Sequence, residues 1–130
     1  MNSFLLIDTT EHNKARVELW QDKMVGRVTK IVNRTLSERL IFIIESFLKQ
    51  HKTKLTELSG IAVRVGEGSF TGIRTGAATG NALGYSLKIP VIALKIGEEV
   101  SQLKFPKIWS LRAQALPVYG KPPTITKTKK

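Results

Sequence analysis

Apolar and polar positions alternate with two different periods along the chain as far as Leu94. Compact apolar runs and a period of two predict strands, whereas apolar spacings of three and four predict helices. The predicted strands are Phe4–Ile7, Ala15–Trp20, Met24–Val32, Gly60–Val65 and Pro90–Leu94, and the predicted helices are Leu36–Gln50 and Thr71–Leu87. A short third helix is predicted over Gly97–Leu103, and the prolines from Pro106 onward predict irregular chain.

The order of these elements predicts one sheet. Short turns join the first three strands, which favours an antiparallel meander, and the strand, loop, helix and strand from Gly60 to Leu94 form a parallel crossover. We therefore expect an α/β fold with a five-stranded mixed sheet and about three helices. A chain of 130 residues is long enough for one core of ordinary size.

The second predicted helix carries a glycine at every fourth position. Each interior glycine costs about 1 kcal/mol relative to alanine, and residues four apart share one helix face. The glycines are Gly72, Gly76, Gly80 and Gly84. A face without side chains lets another backbone approach closely. We predict that a partner helix does so, with close packing on the chain's own sheet as the alternative.

The first predicted helix has more apolar surface than one face can bury. Its main apolar face carries Leu36, Leu40, Ile43 and Phe47, whereas Phe42 falls nearly opposite. This excess favours contact with a partner protein. The predicted partner interface therefore comprises these five residues and the four glycines.

The net charge of +11 is concentrated toward the C-terminus. The segment from Val100 onward has 7 basic residues and no acidic ones. We expect Lys121, Lys127, Lys129 and Lys130 either to contact nucleic-acid phosphates or only to keep the protein soluble. The absence of cysteine excludes thiolate metal sites, and no apolar run approaches the roughly 18 residues of a membrane span. We expect a cytoplasmic protein without membrane contact.

The loop before the glycine-bearing helix is a candidate phosphate site because helix N-termini attract anions. The candidate residues are Asp8, Gly66, Gly68, Ser69 and Thr71. The loop lacks the glycine and lysine patterns of nucleotide-binding loops, so a purely structural tight turn is the favoured alternative. Asp8 is the best catalytic candidate, yet an Asx-type bond to the adjoining turn explains it better. We expect no catalytic residue and no metal site, since His12 and His51 stand apart from any ligand set.

Several segments between residues 4 and 95 resemble the TsaB family. They are Leu6-Ile7-Asp8-Thr9-Thr10, Ser37-Glu38-Arg39-Leu40-Ile41, Leu58-Ser59-Gly60-Ile61-Ala62-Val63, the loop from Gly66 to Arg74 and Ile89-Pro90-Val91-Ile92. The resemblance implies the fold of actin, sugar kinases and heat-shock ATPases. Residues 1–95 would be one lobe, and residues 96–130 would be a remnant of the second lobe with a basic tail. Arg64 and Glu67 replace a glycine and a proline of the usual family loop, which argues against nucleotide binding.

The resemblance implies a non-catalytic dimerisation subunit. Such a subunit pairs with TsaD, its catalytic relative, for threonylcarbamoylation of the adenosine next to the tRNA anticodon. The resemblance further implies TsaE in a larger complex, a homodimer when TsaD is absent, and only indirect contact with tRNA. No cofactor is expected on this chain alone, and ATP or ADP is expected only at an interface shared with TsaD. The alternatives are an independent basic tRNA-binding module and, more remotely, a glycoprotease-like peptidase.

Overall fold

The structure, a computed structural model, describes residues 3–32 and 35–95. The strands are β1 (Ser3–Asp8), β2 (Lys14–Trp20), β3 (Met24–Ile31), β4 (Leu58–Arg64) and β5 (Val91–Leu94). The helices are α1 (Leu36–Gln50) and α2 (Phe70–Leu87), and a 3-10 turn at Leu55–Glu57 leads into β4. The predicted third helix over Gly97–Leu103, the remnant of a second lobe and the basic tail lie outside the described residues.

The five strands form one mixed sheet in the order β3-β2-β1-β4-β5. β2 pairs antiparallel with both β1 and β3, whereas β4 pairs parallel with both β1 and β5. This arrangement confirms the predicted meander followed by a parallel crossover. The predicted strands and helices match the observed ones to within two residues at each end.

Both helices pack on one side of the sheet and contact each other. Successive strand residues point to opposite faces, so Leu5 and Ile7 of β1 face the helices. They meet Leu40 and Ile44 of α1 in a continuous core. Full burial of each such side chain contributes about 1.5–3 kcal/mol, which makes this layer the main source of the lobe's stability.

The glycine-bearing face of α2 lies against the chain's own sheet. A Cβ atom added at Gly72 would collide with the backbone oxygen of Thr9, and one at Gly80 would lie 2.6 Å from Cγ2 of Val63. The corresponding obstacles at Gly76 and Gly84 are the side chains of Thr9 and Val91. Close packing on the sheet is therefore the correct alternative, and the four glycines do not belong to a partner interface.

Most of the predicted interface on α1 is also buried within the chain. Leu40, Ile43 and Phe47 belong to the core, and Leu36 is partly buried against it. Leu40, Ile43 and Phe47 cannot contact a partner without unpacking the helix, so the structure contradicts their assignment to an interface, whereas a partner contact of Leu36 stays a prediction. Phe42 differs from them because 68% of its surface is exposed.

Candidate functional site

Asp8 holds the turn that follows β1. Its Oδ1 atom accepts hydrogen bonds from the backbone N–H of Thr10 at 3.0 Å and from the Thr10 hydroxyl at 2.7 Å. This geometry confirms the predicted Asx-type bond. The other carboxylate oxygen, Oδ2, lies 3.9 Å from Arg16 and 4.0 Å from Arg64. The carboxylate is therefore engaged on both of its oxygens.

The sequence interpretation missed Arg16 as a neighbour of Asp8. Both residues sit on paired strands, and Asp8 lies directly opposite Arg16 in the antiparallel register of β1 and β2. Arg16 also approaches Glu11, at 3.3 Å. The signal was present in the predicted hairpin, because directly opposite residues share a face and opposite charges favour that pairing.

The glycine-rich loop packs on the same turn. Gly66 and Gly68 have φ angles of 121° and 140°, which side chains rarely adopt. A Cβ atom at Gly68 would also collide with the backbone oxygen of Thr10. Ser69 donates its backbone N–H to that same oxygen at 2.6 Å. The structure thus brings Asp8, Gly68 and Ser69 together around Thr10.

Side-chain hydroxyls of the chain itself satisfy backbone groups in the first turn of α2. The Ser69 hydroxyl accepts a hydrogen bond from the Gly72 N–H at 3.0 Å, which makes Ser69 the N-cap of the helix. Thr9 donates its hydroxyl to the carbonyl of Gly72 at 2.5 Å. An anion at this end of the helix would use the backbone N–H groups of Ser69 and Gly72, and both already donate hydrogen bonds within the chain. These contacts favour the structural turn over a phosphate loop, and phosphate binding at Gly66 or Thr71 stays a prediction.

Three exposed aromatic side chains lie on the two helices. Phe42 of α1 is exposed over 68% of its surface, and Phe70 and Tyr85 of α2 are exposed over 58% and 83%. The Arg74 guanidinium lies 5.4 Å from the ring centroid of Phe70, which is a cation–π geometry. Sequence reasoning identified Phe42 but missed Phe70 and Tyr85, which follow the helical spacing opposite the glycines.

Apart from Phe70, Arg74 and Tyr85, the exposed residues of α2 have short side chains. Thr71, Ala78 and Ala82 are exposed and follow a helical spacing along the side away from the sheet. Small side chains on an outward helix face allow a second helix to approach closely. We call Phe42, Phe70, Ala78, Ala82 and Tyr85 the outward surface.

The described residues contain no group of three or more histidine, aspartate or glutamate side chains placed to hold a metal ion. Among those same residues, no helix is long and apolar enough to cross a membrane. The four lysines predicted to contact nucleic acid lie outside the described ranges.

The chain is similar to proteins named for the biosynthesis of threonylcarbamoyladenosine in tRNA. A family model described as TsaD, tRNA N6-adenosine threonylcarbamoyltransferase, matches residues 10–99. The tRNA threonylcarbamoyladenosine biosynthesis protein TsaB of Escherichia coli is 30% identical over 90 residues, which cover 69% of this chain and 38% of that protein.

Solved structures share the fold. YeaZ from Pseudomonas aeruginosa superposes with a TM-score of 0.66 at 25% identity, covering 73% of this chain and 44% of that one. RuvC of T. thermophilus, solved with a Holliday junction substrate, has a TM-score of 0.53 at 8% identity over 74% of this chain and 66% of its own, so its likeness concerns the fold alone. The chain spans less than half the length of the TsaB and YeaZ relatives.

Proposed function

Because the chain belongs to the TsaD family and is TsaB-like, we propose that it is a non-catalytic subunit in tRNA threonylcarbamoyladenosine biosynthesis. In this role it pairs with a TsaD subunit and supports that subunit's catalysis in the cytoplasm. The names of its relatives support the pathway, and the exposed surface of the two helices supports a pairing role.

The observation that carries the proposal is the outward surface. Phe42 and Tyr85 expose most of their area on adjacent helices that cover one side of the sheet. Aromatic side chains are enriched in protein interfaces and often supply much of the binding energy. Phe42 also lines a cavity of about 330 Å³ between α1 and β3, together with Arg39 and Lys30, which offers a recess to a partner side chain.

The polar groups beside β1 support a scaffold in preference to an enzyme. The Asp8 carboxylate holds its own turn and faces two arginines, and the Ser69 hydroxyl caps a helix. Neither group is poised as a base or a nucleophile, because both are already engaged in structural contacts. In this proposal ATP or ADP binds only where TsaD completes the site, and this chain alone forms a homodimer through the same surface.

The test is reconstitution with the TsaD and TsaE proteins of the same organism. We expect this chain to co-elute with TsaD in size-exclusion chromatography and to be required for threonylcarbamoylation of tRNA by the mixture. Neither ATP hydrolysis nor peptide cleavage is expected from the chain alone. Failure to co-elute with TsaD, or turnover by the isolated chain that Asp8→Ala abolishes, would refute the proposal.

An independent tRNA-binding module is the second candidate. Three lysines, Lys49, Lys52 and Lys54, line a cavity of about 380 Å³ at the C-terminal end of α1, alongside Glu45. Clustered lysines attract phosphates with an affinity that falls as salt rises. Tight tRNA binding by this chain without TsaD, weakened by Lys49→Gln with Lys52→Gln, would favour the module over the scaffold.

A further inference from the structure

The strand β3 lies at one edge of the sheet and pairs with a neighbour on one side only. That neighbour is β2, and in the part of the chain that the structure describes no strand pairs with the other side of β3. β3 is 8 residues long and contains no proline. Proline is one of the devices that keep edge strands from pairing with other chains. This edge lacks that protection.

The pairing with β2 determines which backbone groups lie on the open edge. The Val32 N–H donates to the backbone oxygen of Asn13 at 2.7 Å, immediately beyond the last residue pair of the ladder. Hydrogen-bonded and non-hydrogen-bonded pairs alternate along an antiparallel ladder, so Ile31 belongs to a non-hydrogen-bonded pair. By the same alternation, Arg27, Thr29 and Ile31 direct their N–H and C=O groups away from β2.

The residues that carry these backbone groups are exposed. Arg27 and Thr29 are exposed, and 74% of the surface of Ile31 is accessible. Met24 and Val25, at the start of the same strand, are exposed over 40% and 44% of their surfaces. An accessible edge with apolar side chains is a template for the addition of an extended segment as a further strand.

The groove beside this edge is positively charged. Side chains of an added strand would alternate between the two faces of the sheet. On the helix side they would reach the cavity of about 330 Å³ between α1 and β3. Val28 and Phe47 supply apolar lining, Lys30 and Arg39 supply positive charge, and no acidic side chain lines the cavity. Neither cation forms an ion pair with a described residue. The groove therefore favours a segment with acidic and apolar side chains.

A second copy of the chain does not suit this edge. Two β3 strands side by side would bring Arg27 and Lys30 of one copy next to the same residues of the other. Like charges on neighbouring strands are destabilising. The net charge of +11 on each copy adds to the repulsion.

We propose that β3 binds an extended, acidic segment of another protein as a sixth strand of the sheet. Backbone hydrogen bonds along the edge supply affinity, and Lys30 and Arg39 select acidic side chains. Phe42 belongs both to this groove and to the outward surface. The test therefore relies on the backbone of β3 and contains no TsaD, so that its failure leaves the proposed pairing with TsaD untouched.

The probe is an acetylated and amidated eight-residue peptide of alternating glutamate and valine. A peptide of alternating lysine and valine is its charge-reversed control. Each is titrated into the ¹⁵N-labelled full chain and followed by NMR. We expect saturable shifts of the backbone amides of Arg27, Thr29 and Ile31 with the acidic peptide, and at least about tenfold weaker binding of the basic one. Added salt should weaken the binding of the acidic peptide.

A pair of variants at Thr29 separates strand pairing from attraction by charge alone. Thr29→Pro removes an N–H that points away from β2, so the fold retains its ladder, since proline is tolerated on edge strands in this orientation. Thr29→Val keeps the N–H and the branched side chain and is the matched control. We expect Thr29→Pro to weaken binding of the acidic peptide about tenfold and Thr29→Val to leave it unchanged.

Methylated peptides decide the matter on the unaltered protein if Thr29→Pro fails to fold. Only every second N–H of an added strand faces its neighbour. N-methylation of one alternate set of peptide amides should therefore abolish detectable binding, whereas methylation of the other set should be tolerated.

Every other result overturns the proposal. These results are equal effects of the two methylated sets, unchanged affinity of a folded Thr29→Pro protein, equal binding of the basic peptide, and no saturable shift on β3 with the acidic one. Shifts of the same β3 amides on concentrating the protein without peptide would identify a second copy as the occupant.

Discussion

At the scale of single residues, the four glycines of α2 are required because the helix packs closely on the chain's own sheet. Gly80 illustrates this most simply, because the obstacle to a Cβ atom there is one methyl group of Val63 at 2.6 Å. At Gly72 the obstacle is the backbone of Thr9, which cannot move without shifting the end of β1. The cost of interior glycine in the helix is thus offset by close contact with the strands.

Gly80→Ala should destabilise the protein despite its better helix propensity. Overpacking costs about 1–3 kcal/mol, which exceeds the gain of up to about 1 kcal/mol from alanine. Val63→Ala removes the obstructing methyl, so we expect a coupling of at least about 0.5 kcal/mol in a double-mutant cycle measured by urea unfolding. Simple additivity of the two substitutions would contradict this packing explanation.

Asp8 is predicted to be a structural residue. Asp8→Ala removes the acceptor for two hydrogen bonds and the counterion of two arginines, so we expect a loss of about 1–3 kcal/mol in the free energy of unfolding. Glu11→Gln is the control, because Glu11 is exposed and its ion pairs contribute about 0–1 kcal/mol. Equal stability of Asp8→Ala and the wild type would show that the turn does not depend on the carboxylate.

At the scale of elements, periodicity predicted the strands and helices well because each has one face in the core. The same periodicity could not say what the glycine stripe of α2 contacts, since a partner helix and the chain's own strands require the same small residues. Only the crossover geometry, which lays α2 along β1 and β4, decides between them. Phe70 was missed because the predicted helix began one residue later, at Thr71, so its side chain was not placed on a helix face.

Two leucine substitutions on α2 separate its two faces. Gly76→Leu places bulk against Thr9 and should unfold the lobe, whereas Ala78→Leu places the same bulk on the exposed side. We expect Ala78→Leu to keep the wild-type circular dichroism spectrum and melting temperature but to lose pairing with TsaD. A folded Gly76→Leu protein, or normal pairing by Ala78→Leu, would show that the faces have been assigned incorrectly.

At the scale of the whole molecule, the sheet of the described residues has two different faces. The helices cover one face and offer the outward surface, whereas the other face carries a separate apolar cluster of Phe4, Leu6, Ala62, Ile92 and Leu94. In the sequence, the basic residues are concentrated toward the C-terminus. The sequence predicted the charge distribution directly, because composition needs no fold. It could not predict which strand residues face the helices and which face the opposite side, because that depends on how residues distant in the chain meet.

The basic tail is predicted to contribute to tRNA affinity without affecting pairing. Deleting residues 124–130 removes Lys127, Lys129 and Lys130. Each phosphate that the shortened chain no longer neutralises should reduce the slope of log affinity against log salt by about one unit. Fluorescence titrations of tRNA with the assembled complex at several salt concentrations measure the slope. An unchanged slope would reduce the tail to a solubility role.

The affinity of this chain for TsaD, measured by isothermal titration calorimetry, tests the central claim most directly. Phe42→Glu places a charge on the outward surface, and Ile31→Glu is the matched control because Ile31 is 74% exposed on the edge strand β3. Loss of an aromatic interface anchor costs about 2–4 kcal/mol, so we expect Phe42→Glu to weaken binding about thirtyfold or more. Ile31→Glu should bind as the wild type does. Wild-type affinity of a folded Phe42→Glu protein would show that α1 and α2 do not form the subunit interface.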